Sequence, residues 1–189
     1  MEFHDFTKKH FVQHFGTISR KADASPKQLS DVHILLGRFL AETIADYIYL
    51  EEIEISHPQG VAIGKQLYEN DIIIFSFLRA GLYIASGIRE VFNNACMELV
   101  SPKRDIGLSD DELLRLTDII KDKNIIIADS VINTGSTLYP VITQLQECKV
   151  KTIHIASLVM PEQTGNYIKE KYANEQNINF YTARVSSNS

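Results

Sequence analysis

The stretch Ile125-Ile126-Ile127-Ala128-Asp129-Ser130-Val131-Ile132-Asn133-Thr134-Gly135-Ser136-Thr137 decides the fold. It opens with an apolar run too short for a helix and rich in β-branched residues. Such a run reads as a strand buried on both faces of a parallel sheet. An acid follows at the carboxyl end of the strand. A small, hydroxyl-rich loop then leads into a helix beginning near Leu138. A strand, a tight loop and a helix N-terminus form an anion site, because free N–H groups and the helix dipole face outward. Gly135 allows the backbone to come close to a phosphate. Asp129 repels phosphate but accepts hydrogen bonds from sugar hydroxyls, so the geometry points to a sugar phosphate. The plain alternative is an ordinary strand–loop–helix crossover capped by a threonine.

Composition narrows the classes. At 189 residues the chain is long enough for one α/β domain with a substantial core. Its 24 acidic and 19 basic residues give a net charge of -5. No Lys/Arg cluster interrupts that balance, which argues against nucleic acid as a partner. Cys96 and Cys148 have no metal spacing, and two free thiols fit a reducing compartment. The amino terminus lacks a basic region followed by an apolar one, and no apolar run is long enough to span a membrane. The expectation is a cytoplasmic protein.

The other segments fall into order around the central motif. Residues 1–49 read as a helical arm. His10 and His14 are spaced as neighbours on a helix, but with no third ligand nearby a solvated arm is the simpler reading than a metal pair. Ser25-Pro26 starts a helix, and Leu29, Val32, Leu35, Leu36, Phe39 and Leu40 give it one buried face. Residues 50–70 alternate isoleucines with acids around His57-Pro58-Gln59-Gly60, which predicts a projecting β-hairpin. Residues 71–183 form the α/β core. Ile72 to Phe77 is a second buried strand, ending in Leu78-Arg79-Ala80-Gly81-Leu82 and then a helix to about Phe92. Ala95 to Val100 reads as a strand, and Ser109-Asp110-Asp111-Glu112 caps a helix. Further strands are predicted at Thr152 to Val159 and Ile178 to Ala183, with a helix opened by Met160-Pro161-Glu162. His154 alternates with apolar neighbours and reads as a satisfied core histidine. Strands alternating with helices imply a parallel sheet with right-handed crossovers, with ligands outside the carboxyl ends of the strands.

The central motif resembles the 5-phosphoribosyl-1-pyrophosphate (PRPP) motif of type I phosphoribosyltransferases, with Ser130 where most of the class has a second acid. Leu78-Arg79-Ala80-Gly81-Leu82 resembles the pyrophosphate loop of the uracil phosphoribosyltransferases, which also lack that second acid. His10-Phe11-Val12-Gln13-His14 resembles their amino-terminal arm. The resemblance implies a type I phosphoribosyltransferase-like fold, a parallel sheet flanked by helices with an N-terminal helical arm and a β-hairpin arm. It implies transfer of 5-phosphoribosyl from PRPP to a pyrimidine-type base, uracil plus PRPP giving UMP and diphosphate, in nucleotide salvage. Asn133, Thr134, Gly135, Ser136 and Thr137 would hold the 5-phosphate, and Arg79, Ala80 and Gly81 the pyrophosphate. Arg104 falls near the position of an arginine on the family's mobile loop and would join the pyrophosphate, although a solvated basic turn fits equally. Asp129 and Arg79 would be the catalytic pair. Mg²⁺ would come with PRPP, with no dedicated protein metal site. The resemblance further implies a homodimer built through the hairpin, and a non-proline cis peptide at Leu78–Arg79 or one bond away.

Two departures limit the resemblance. Residues 109–120 read as a helix where relatives carry a long flexible loop. After Tyr181-Thr182-Ala183 the sequence reads Arg184-Val185-Ser186-Ser187-Asn188-Ser189 rather than the Gly-rich tail that recognises uracil, so the base-binding residues stay unassigned and poor turnover of uracil is expected. A PRPP-binding regulator or catalytically degenerate relative is the alternative. A generic nucleotide-binding α/β protein has neither Gly-x-Gly-x-x-Gly nor a Walker sequence to support it.

Overall fold

The structure, a computed structural model, describes residues 1–187. Six strands form one sheet: β1 (Glu2–Asp5), β4 (Ile72–Phe77), β5 (Cys96–Val100), β6 (Asn124–Val131), β7 (Thr152–Pro161) and β8 (Ile178–Ser186). Their order is β1-β8-β7-β6-β4-β5, and every pairing between them is parallel. The central strands carry apolar residues at consecutive positions because both sheet faces are covered. On β4, Ile73, Phe75 and Phe77 enter one core while Ile72 and Ile74 enter the other. On β6, Ile125 and Ile127 separate from Ile126 and Ala128 in the same way.

One core is closed by α4 (Asp110–Ile120), α5 (Leu138–Glu147) and α6 (Glu162–Lys171). The other is closed by α1 (His10–Ile18), α2 (Pro26–Ala45) and α3 (Leu82–Val91). Both predicted caps form: Ser25 with Gln28 and Ser109 with Glu112 make reciprocal capping boxes. His154 is buried and bonded on both ring nitrogens, to Tyr181 Oη and Thr152 Oγ1 at 3.1 Å each. Burial pushes its pKa down to about 4, with the charge of His4 acting in the same direction.

Two parts differ from the sequence reading. Glu2–Asp5 is an edge strand rather than part of a helical arm. Phe3 stacks on Phe180 and His4 on Tyr181, so opposite faces of a four-residue segment meet the two layers. Four residues are too few for alternation to register as a pattern. β8 also runs three residues past Ala183, because its partner β7 continues to Pro161. The hairpin appears as predicted, β2 (Leu50–His57) against β3 (Gly60–Leu67), and forms a separate two-stranded sheet. No helix among the described residues is long and apolar enough to cross a membrane.

Helices α2 and α3 cross at two glycines. A Cβ on Gly37 would lie 2.4 Å from the Ile84 carbonyl oxygen, and one on Gly87 would lie 2.0 Å from that of Ile34. Alanine at 87 would gain about 1 kcal/mol of helix propensity. It would also force two backbones apart, and overpacking typically costs about 1–3 kcal/mol. The overlap is with backbone, which no rotamer change relieves. Gly87→Ala is therefore expected to destabilise the protein by about 1 kcal/mol, read as a lower urea midpoint.

Candidate active site

Two loops follow neighbouring parallel strands, and their positions depend on one another. After β4, Leu78 N–H donates to the Val100 carbonyl at 2.9 Å and Gly81 N–H to that of Phe77 at 2.8 Å. The peptide joining Leu78 and Arg79 is cis, where the resemblance implies it. A Cβ on Gly81 would lie 2.1 Å from the Ala128 carbonyl oxygen. The glycine thus serves to seat this loop on β6, one residue before Asp129. Arg79 and Ala80 remain exposed above it.

After β6, residues 133–137 wrap the start of α5. Thr134 Oγ1 donates to Ser136 Oγ at 3.0 Å, and the Gly135 carbonyl accepts from the N–H groups of Leu138 and Tyr139 at 2.9 Å each. Thr164 on α6 donates its hydroxyl to the Asn133 carbonyl. Among the described residues the N–H groups of Thr134 and Gly135 have no acceptor, as an anion cradle requires. Gly135 has φ +78, and its Cβ would lie 2.1 Å from the Tyr139 ring. It is demanded by backbone conformation and by Tyr139 beneath it, in addition to any approach of phosphate. Tyr139 was not singled out in the sequence, because nothing in a Leu-Tyr-Pro helix start marks a residue that supports a loop.

These residues line a cleft of about 270 Å³ together with Asp129 and Arg104. Arg104 Nε donates to Ser136 Oγ at 2.9 Å, and Asp105 N–H donates to the Ser136 carbonyl at 2.8 Å. Arg104 therefore sits with the phosphate loop, while Arg79, Ala80 and Gly81 lie outside the cleft lining. The segment carrying Arg104 is a tight turn, Lys103 bridging to Gly107, rather than a long loop. Gln144 on α5 clamps it, accepting from Leu108 N–H at 2.9 Å and donating to the Leu108 carbonyl at 3.0 Å. Helix α4 begins directly after it, as the capping signal predicted.

Asp129 is the single carboxylate lining the cleft among the described residues. Burial pushes its carboxyl up to about 6, while the N–H groups of Ser130 and Val131 oppose that by bonding the ionised form. Its neighbour across the sheet, Ser157, is buried with no hydrogen-bond partner for its hydroxyl among the described residues. His10 and His14 join no third ligand: no group of three or more His, Cys, Asp or Glu side chains able to hold a metal occurs among the described residues.

A doubly covered parallel sheet with a hydroxyl-rich phosphate loop after one strand and an arginine loop after the next has the architecture of the type I phosphoribosyltransferases. A family model described as uracil phosphoribosyltransferase matches residues 6–188, and the chain belongs to that family. It is 27% identical over 181 residues to the uracil phosphoribosyltransferase of Fervidobacterium nodosum, spanning 92% of this chain and 84% of that one. Identity to the enzyme of Dictyoglomus thermophilum is 23% over 176 residues, with the same shares. Among solved structures, the AQ2163 protein from Aquifex aeolicus superposes with a TM-score of 0.79 at 21% identity, covering 96% of this chain and 87% of that one. The PRPP complex of Mycobacterium tuberculosis orotate phosphoribosyltransferase gives 0.55 at 11% identity, covering 93% and 88%.

Folding raises the Asp129 carboxyl from its ordinary 3.8 to about 6. The folded protein therefore binds this proton more tightly than the unfolded chain, and stability falls as pH rises through that interval. Asp129→Asn removes the buried charge and keeps the shape. We expect it to raise stability at pH 7.5 by roughly 1–3 kcal/mol, with the gain shrinking below pH 6. Thermal melts of both proteins across pH 4–8 measure this.

Proposed function

We propose that the chain transfers 5-phosphoribosyl from PRPP to a pyrimidine-type base, uracil being the base its family is named for. The observation that carries this reading is Asp129 standing between the 133–137 cradle and the loop that Gly81 seats on β6. In the reaction the C1–O bond of PRPP breaks and its electron pair leaves on pyrophosphate. A ring nitrogen bonds to C1 and its proton passes to solvent or the departing pyrophosphate. Positive charge grows on the ribose ring in the transition state.

The cradle N–H groups, the hydroxyls of Thr134, Ser136 and Thr137 and the Arg104 guanidinium hold the 5-phosphate. Asp129 accepts hydrogen bonds from the ribose hydroxyls, and its charge favours the cationic ring. Arg79, with the exposed N–H groups around it, takes up charge on the leaving pyrophosphate. Mg²⁺ bound to PRPP would add positive charge at the pyrophosphate, with Asp129 the carboxylate that lines the cleft.

The ionised form of Asp129 is the working one. Turnover of PRPP with a pyrimidine is therefore expected to fall as pH drops through about 6, the value to which burial moves this carboxyl. In Asp129→Asn, kcat should drop about 100-fold or more while PRPP affinity changes less, and the acidic fall in rate should vanish. Tight PRPP binding by the wild type without turnover of any base would favour a regulator.

We also propose a homodimer. Val61 and Ile63 are 75% and 64% exposed, and neither they nor Ile53 and Ile55 join either hydrophobic core. A second copy of the chain packing on this hairpin would cover them. Sedimentation at micromolar concentration should give a dimer, and Val61→Glu with Ile63→Glu a monomer.

A further inference from the structure

A second cavity, of about 200 Å³, opens beside the phosphate cleft at the carboxyl ends of β6, β7 and β8. Val131 lines both, so a molecule in the second lies next to one in the first. Its volume is below that of pockets for drug-sized ligands, which suits a single substituted ring. Val12, Leu36 and Leu158 give it an apolar surface on which a flat ring can lie.

Two guanidiniums border this apolar space. Arg20 follows α1, and Arg184 lies near the end of β8. Arg20 spends its Nε–H on the Gly16 carbonyl at 2.9 Å, and its terminal nitrogens remain for a ligand. Among the described residues neither arginine has a carboxylate partner, although the chain has 24 acidic residues. No Asp or Glu lines the cavity, and Ser130 borders it where an acid would have cancelled the charge. Arg184 is held below its ordinary pKa by burial and by the charge of Arg20. Two like charges beside an apolar surface cost free energy, and an anion between them removes that cost. A neutral ring leaves it in place.

We infer, building on the phosphoribosyl-transfer reading above, that this cavity receives the acceptor ring and that Arg20 and Arg184 select a heterocycle bearing a carboxylate over neutral uracil. The carboxylate pairs with the guanidiniums, whose planar donor fork matches its two oxygens. The ring rests on the apolar side, and its nitrogen is turned past Val131 toward the ribose.

Calorimetry on the whole chain saturated with ribose 5-phosphate tests this without requiring turnover. The probes are uracil, uracil-6-carboxylate and inorganic phosphate, and PRPP is titrated separately. The carboxylated ring should bind about tenfold or more tighter than uracil, and phosphate should not compete with it. Arg184→Gln and Arg20→Gln should each collapse that margin, Arg184→Lys should keep part of it, and PRPP affinity should stay at the wild-type value in all three. Equal or tighter binding of uracil, a margin that survives both glutamine variants, or displacement by phosphate would each overturn the arginine-selected acceptor site with phosphoribosyl transfer still standing. Loss of PRPP and ribose 5-phosphate binding in the wild type would overturn both readings.

Discussion

The contact on which the site depends is between two main chains. Gly81 lies so close to the Ala128 carbonyl that no side chain fits between them. This presses the loop after β4 onto the end of β6, and the next residue along β6 is Asp129. Strand pairing alone fixes the two strands only as far as Ser76 and Ala128. Beyond that register the glycine contact carries the alignment onward to Arg79. Any separation of the two loops would pull Arg79 away from Asp129, and positioning errors of this kind are costly to catalysis.

The turn bearing Arg104 is fixed from three directions. Ser136 takes its side chain and its Asp105 N–H, Gln144 clamps Leu108, and Glu112 in the first turn of α4 accepts from Ser101 N–H at 3.2 Å. The phosphate cradle and this turn therefore form one hydrogen-bonded unit resting on α5. A cradle held this way is pre-organised, and pre-organisation lowers the entropy cost of binding a ligand there.

Much of this was readable in the sequence because buried parallel strands leave an unmistakable mark: Ile72–Phe77 and Ile125–Ala128 are apolar at every position except Ser76. The caps at Ser25 and Ser109 follow from local hydrogen bonding, which spacing displays directly. Asp129 and residues 133–137 were legible because they are contiguous and the anion chemistry is local. The edge strand Glu2–Asp5 was not, since its partner is about 177 residues away and its own alternation spans four residues. The supports of the cradle, Tyr139, Gln144 and Thr164, escaped for the same reason: each acts through tertiary packing. Arg20 and Arg184 look like two unrelated surface arginines until the fold sets α1 beside β8.

The pairing of β1 with β8 has a consequence for how the chain is made. Among the described residues, β1 precedes every other strand in the chain and its partner β8 follows them all. Throughout synthesis Phe3 and His4 wait without the aromatic rings they stack on, while β4, β6 and β7 can already assemble. Such long-range closure is slow and comes late. The cavity that Arg20 and Arg184 border is closed by that same β8. A nascent chain thus has the segment 133–137 in place before the cavity between α1 and β8 is complete.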